Sequence, residues 1–133
     1  MECKIIKSLI VSMLCISFSC CSDYDGVQKK WNIDGKITIS KIENYGFDLY
    51  FNISDTWSTP IEGNLPVVYY DSANNVIFAA SDEYINEYYK IEILNSKSDN
   101  LEHALTKSKI SHDEFKSSIN KRMKKWDVKD WNR

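Results

Sequence analysis

The sequence predicts an α+β domain: an antiparallel sheet of about five strands with a C-terminal amphipathic helix packed on it. Three observations carry that expectation. Apolar residues alternate at period two through much of residues 31–94, turn-forming clusters separate those runs, and near residue 111 the spacing becomes helical. With 133 residues the chain has room for one small domain. Its eight Tyr, five Phe and four Trp are enough large side chains to close a core, unlike the aromatic-poor composition of disordered chains.

The first segment reads as separate from that domain. Lys4 and Lys7 precede ten apolar or small residues, Leu9 to Phe18 (LIVSMLCISF). A bilayer-spanning helix needs about 20 apolar residues, so the run is too short for a stable span and fits the apolar region of a signal peptide. All four cysteines (Cys3, Cys15, Cys20, Cys21) lie within the first 21 residues. A disulfide framework or a zinc site would spread them through the body, in paired spacings for the metal. Adjacent cysteines also cannot bridge each other without unusual strain.

Ile16-Ser17-Phe18-Ser19-Cys20 resembles a bacterial lipobox, with the small residue Ser19 directly before the cysteine. The resemblance implies diacylation of the Cys20 thiol, cleavage just before it and acylation of the new N-terminus. Cys21 is the alternative acceptor. Each buried CH₂ contributes about 0.8 kcal/mol, so two or three acyl chains hold a protein on a membrane almost permanently. The expected organisation is a lipoprotein signal peptide over 1–19, an acylated tether over 20–30, and a single α+β domain over 31–133.

The elements follow in order. Ile33, Ile37 and Ile39 fall on one side of a strand, with Asp34, Lys36, Thr38 and Ser40 opposite. After a turn at Glu43-Asn44-Tyr45-Gly46, Phe47, Leu49, Phe51 and Ile53 alternate with Asp48, Tyr50 and Asn52, completing a hairpin with one buried face. A loop with Pro60 and Gly63 leads to the strand Leu65–Tyr70. The turn Asp71–Asn75 returns the chain as Val76–Ala80. Tyr88–Leu94 alternates again, placing Tyr89, Ile91 and Ile93 on the core face. Near the end, Ser111 and Glu114 have capping-box spacing and Asp113 suits a first turn. Phe115, Ile119, Met123 and Trp126 then form one helical stripe, with Lys116, Lys121, Lys124 and Lys125 pointing elsewhere.

The order KITISKIENYGFDLYF, VVYYDSANNVIFAAS, YYKIEI and KISHDEFKSSINKRMKKWDV resembles a family of small bacterial lipoproteins of unknown function over residues 33–128. That family's frequent Gly-Pro before the last helix is replaced here by Thr106-Lys107-Ser108-Lys109. The resemblance implies fold and location and brings no activity.

Catalytic signals are sparse. His103 and His112 form no metal-binding pair spacing, the serines lack a G-x-S-x-G elbow, and the four glycines are too scattered for a phosphate loop. Asp82, Glu83 and Glu87 cluster near tyrosines, but acid and base pairs are set by fold geometry rather than by spacing. Residues 22–100 carry six basic and thirteen acidic groups, and residues 101–133 carry nine and five. The basic end reads as a solvated helix face, with no nucleic acid expected. The aromatic surplus reads as a binding surface: Tyr50, Tyr70 (or Tyr69) and Tyr88 are expected on the outer sheet face, with Trp57 in the nearby loop. The expectation is a non-enzymatic, lipid-anchored envelope protein, with no cofactor and no metal. It would contact the membrane through its acyl chains and bind a protein partner, as toxin-immunity or inhibitor-type lipoproteins do. The alternative is a glycan-binding accessory lipoprotein or a small envelope hydrolase.

Overall fold

A computed structural model describes residues 28–42, 45–81 and 85–130. The expected signal peptide, with Cys20 and Cys21, lies outside the described residues, as do Asp82, Glu83 and Tyr84. Among the described residues, nine strands form two antiparallel sheets, and helices are few and short. Sheet one is a meander of β1 (Gln28–Asp34), β2 (Ile37–Ile42), β3 (Phe47–Asn52) and β4 (Ser58–Leu65). Sheet two runs in the order β8-β7-β6-β5-β9. Its strands are β5 (Val67–Asp71), β6 (Val76–Ala80), β7 (Tyr88–Ile93), β8 (Leu105–Ile110) and β9 (Lys124–Asp127). Pro66 alone separates β4 from β5, so the chain changes sheets at one residue that has no amide hydrogen to leave unpaired.

The period-two pattern dictates the packing. Ile37, Ile39, Phe47, Leu49 and Phe51 are wholly buried on one face of sheet one. They meet Val68, Ile77, Ala79, Tyr89, Ile91 and Trp126 from sheet two in a single core. Burying each large apolar side chain stabilises the fold by roughly 1.5–3 kcal/mol, so this layer between the sheets holds the molecule together. A smaller cluster on the far face of sheet two joins Val76, Phe78 and Ala80 to Phe115. β6 therefore reads apolar at every position: one face serves each cluster, and all five residues are buried.

Four expectations need correction. The run 31–40 is a hairpin, broken at Gly35, whose φ of +53° suits glycine and few other residues. The turn docks on the loop after β7: Lys36 N–H donates to the Ser96 carbonyl at 2.8 Å, and a β-carbon on Gly35 would lie 2.6 Å from that oxygen. The segment read as a loop around Pro60 is the strand β4, which tolerates proline because it ends the sheet order. The expected count of about five strands leaves out β8, which includes Thr106–Lys109 and follows the one-turn helix α1 (Leu101–Ala104).

The fourth correction changes the class. The helical stripe from Phe115 to Trp126 is not one helix. Helix α2 covers only His112–Ser118, capped by Ser111 Oγ accepting from Glu114 N–H at 3.0 Å. Ile119 is extended, Asn120 Oδ1 takes the Arg122 amide at 2.9 Å, and the chain then pairs with β5 as β9. Phe115, Ile119 and Met123 join the outer cluster, whereas Trp126 enters the core between the sheets and meets Trp31 edge-on at 6.4 Å. The fold is mostly β, two sheets facing each other, rather than one sheet with a long helix. β1 starts at Gln28, inside the segment read as tether.

Candidate functional site: the polar face of sheet one

Residues alternating with the buried set of sheet one point away from the core. The register places Thr38 beside Tyr50, Ser40 beside Asp48 and Asn52 beside Ser58, while Lys30 pairs with Ser40 from β1. This face holds a concavity of about 470 Å³. Thr38, Tyr50 and Asn52 line it from the middle strands, Lys30 and Ser58 from the flanking ones, and Ser54 and Asp55 from the β3–β4 loop. Every lining side chain carries a hydrogen-bonding group.

Part of this chemistry is fixed internally. Ser58 Oγ–H donates to Asn52 Oδ1 at 2.7 Å, and Asn52 Nδ2–H donates to Thr38 Oγ1 at 2.6 Å. The two bonds orient the Asn52 amide and link three strands. Asp48 is fixed by its backbone neighbours: its Oδ1 accepts from Asn64 N–H at 2.8 Å, where the β3–β4 register slips. The Tyr50 hydroxyl reaches the other Asp48 oxygen at 3.4 Å. Burial first, and then the Asp48 charge, raise the Tyr50 pKa above the ordinary phenol value, so the group stays a neutral donor. Ser40 is wholly buried on this face without a well-formed hydrogen bond. Its hydroxyl still acts on Tyr50, as the one influence lowering that pKa.

The β3–β4 turn, which supplies Ser54 and Asp55 to the concavity, also carries Trp57. Ile53 and Ser54 amides donate to the Trp57 carbonyl at 2.9 and 3.1 Å, and Trp57 N–H returns to Ser54 at 3.4 Å. The backbone is thus pinned while the indole is 65% exposed, with Ile53 at 39% beside it. An ordered turn holding out a large apolar ring loses little entropy when a partner covers that ring.

The four aromatic residues expected on one surface occupy three places. Tyr50 and Trp57 share the β3–β4 hairpin. Tyr70 faces the core between the sheets, where burial and the charges of Asp34 and Asp71 raise its pKa. Tyr88 lies on the far face of sheet two, against Phe115 at 5.0 Å and stacked on His112 at 4.9 Å. The strand parity of Tyr50 was legible in the sequence. Thr38 and Asn52 share that parity and were equally readable, whereas Ser58 and Lys30 depended on two strands that the sequence reading did not separate.

The acidic cluster near Tyr88 resolves only at Glu87. The Tyr89 hydroxyl donates to Glu87 Oε1 at 2.5 Å and Lys109 Nζ to Oε2 at 2.9 Å, and both hold its pKa below the ordinary carboxylate value. The carboxylate is thus held ionised while it accepts both hydrogen bonds, which does not suit a general acid. Among the described residues no group of three His, Cys, Asp or Glu side chains is placed to hold a metal ion. No helix among them is long and apolar enough to cross a membrane.

Comparison of the chain with protein-family models, curated proteins and solved structures finds no match in any of the three. The resemblance to small lipoproteins therefore rests on the lipobox and the body motifs alone.

Proposed function

We propose that this chain is a lipid-anchored bacterial envelope protein that binds another macromolecule, without catalysing a reaction, through the outer face of sheet one. The observation that carries the reading is the polar concavity lined by Tyr50 and by Ser54 and Asp55 of the β3–β4 turn, the same turn that carries the exposed, backbone-pinned Trp57. A ring held out next to oriented hydrogen-bonding groups is the arrangement of an interface centre, where tryptophan and tyrosine contribute most of the binding energy. A protein partner, of the kind a toxin-immunity or inhibitor lipoprotein meets, suits the joint exposure of Trp57 and Ile53. A glycan is the second reading, favoured by one observation: all seven side chains lining the concavity can hydrogen-bond to hydroxyls.

The test is capture from envelope extract on the immobilised protein, with soluble glycan fragments as competitors. The protein reading predicts a polypeptide retained by wild type, lost with Trp57→Ala and unaffected by the fragments. Retention unchanged by both Trp57→Ala and Tyr50→Ala contradicts the proposed face. The anchor is tested separately with a palmitate analogue: labelling disappears in Cys20→Ala, and equal labelling of wild type and variant rules Cys20 out.

A further inference from the structure

We infer that a hollow on the outer face of sheet two, between Tyr69 and the chain linking α2 to β9, binds a small carboxylate with a compact aliphatic body. The hollow holds about 370 Å³ and is lined by Tyr69, Ile119, Asn120, Lys121, Met123 and Lys125. Its lining follows from how the C-terminal segment is built. Helix α2 stops at Ser118, and the chain turns at Asn120, which accepts the Arg122 amide on its side chain and the Met123 amide on its carbonyl at 3.3 Å. β9 then pairs with β5, setting Lys125 beside Tyr69. The linking segment thus supplies four of the six lining residues, and β5 and β9 supply one each.

The lining has two chemistries. Ile119 and Met123 are half-buried members of the outer apolar cluster, and the Tyr69 ring meets Phe115 edge-on at 6.0 Å. Lys121 and Lys125 are exposed cations. The concavity on sheet one is lined by both Lys30 and Asp55, whereas this lining includes no carboxylate. The strands beneath it carry two. Asp127 contacts Lys125 at 3.4 Å, longer than the about 2.7–2.9 Å of a well-formed charged hydrogen bond. Asp71 is engaged by its own turn, accepting from the Ala73 and Asn74 amides and from the Asn74 side chain. The carboxylates of α2, Asp113 and Glu114, sit in its first turn, at the end away from Ile119. Lys121 makes no ion pair among the described residues.

These features fit a ligand with one negative head and a short apolar body. The head exchanges water for charged hydrogen bonds from the two ammonium groups. The methylenes leave water against Ile119, Met123 and the Tyr69 ring. Lysines on an end strand also discourage edge pairing. That role covers Lys125 on β9 and does not account for Lys121, which precedes the strand. The hollow lies across sheet two from the central core, and neither Trp57 nor the Cys20 anchor takes part in it.

The experiment titrates the full chain, with isotope-labelled methyl groups, against acetate, butanoate, hexanoate and neutral hexanol. Saturable shifts are expected at the Ile119 and Met123 methyls, each added methylene tightening binding by up to about fourfold. Acetate and hexanol each lack one half of the ligand and should bind at least about tenfold more weakly than hexanoate. Lys121→Ala and Lys125→Ala should each weaken hexanoate binding, while Lys121→Arg keeps it. High salt should weaken it too, and that arm requires no variant to fold. Equal binding of hexanoate and hexanol, unchanged hexanoate affinity in K121A/K125A, or no saturable shift at Ile119 and Met123 overturns the inference.

Discussion

Single residues fix this fold where backbone geometry leaves no choice. Gly35 combines a positive φ with a neighbouring carbonyl oxygen that a β-carbon would approach to 2.6 Å. Gly35→Ala should therefore cost about 1–3 kcal/mol in denaturant unfolding. Adding Ser96→Gly should restore it only in part, because it removes the obstructing Ser96 side chain but leaves the backbone carbonyl oxygen and the positive φ. Glu87 makes a pH prediction. Its folded-state pKa is depressed, first by the Tyr89 hydroxyl and then by Lys109. Its contribution is therefore present above the ordinary carboxylate pKa and lost as pH falls through the lower, folded value. Glu87→Gln should flatten the acid limb of the stability curve, with no change in slope at neutral pH. The sequence displayed Gly35 but gave it no meaning: the alternation of Ile33, Ile37 and Ile39 passes straight through it at the right parity. The hairpin shows only when Ser96, sixty-one positions away, is brought against the turn.

At the scale of elements, the strands with clean alternation were legible and the mixed ones were not. β3 shows buried and half-buried positions in strict alternation, as its sequence predicts. β4 escaped because Pro60, Gly63 and Asn64 are turn-formers by composition, while a strand at the end of a sheet tolerates them. The C-terminal stripe misled for a different reason. Phe115, Ile119, Met123 and Trp126 have helical spacing, but α2 stops at Ser118 and the last of the four joins a different core. Spacing records separation along the chain, and two clusters on opposite faces of one sheet can satisfy it as well as a helix does. The consequence is measurable. Trp126→Ala should cost about 3–5 kcal/mol, as for a large core aromatic. Met123→Ala, half-buried on the outer cluster, should cost clearly less; a continuous helix with all four residues on its buried face predicts similar losses.

For the whole molecule, the chain is divided by charge and by position. Its two sheets enclose one core. The outward face of sheet one carries oriented polar groups, and the β3–β4 turn next to it carries the exposed Trp57. The lipobox resemblance is a local signal that needs no fold, and it lies outside the described residues. Of the four aromatic residues that the sequence groups on one face, Tyr50 and Trp57 share the β3–β4 hairpin. Tyr70 and Tyr88 went to other places because the sequence reading assumed one sheet where the chain builds two. The central claim is that sheet one's outer face is the recognition surface, and the most direct measurement is the dissociation constant of the captured partner. Trp57→Ala should weaken binding roughly 30-fold, equivalent to about 2 kcal/mol, and Tyr50→Ala should weaken it as well, while Lys116→Ala on the far side of sheet two leaves it unchanged. Wild-type affinity in both the Trp57 and Tyr50 variants contradicts the claim.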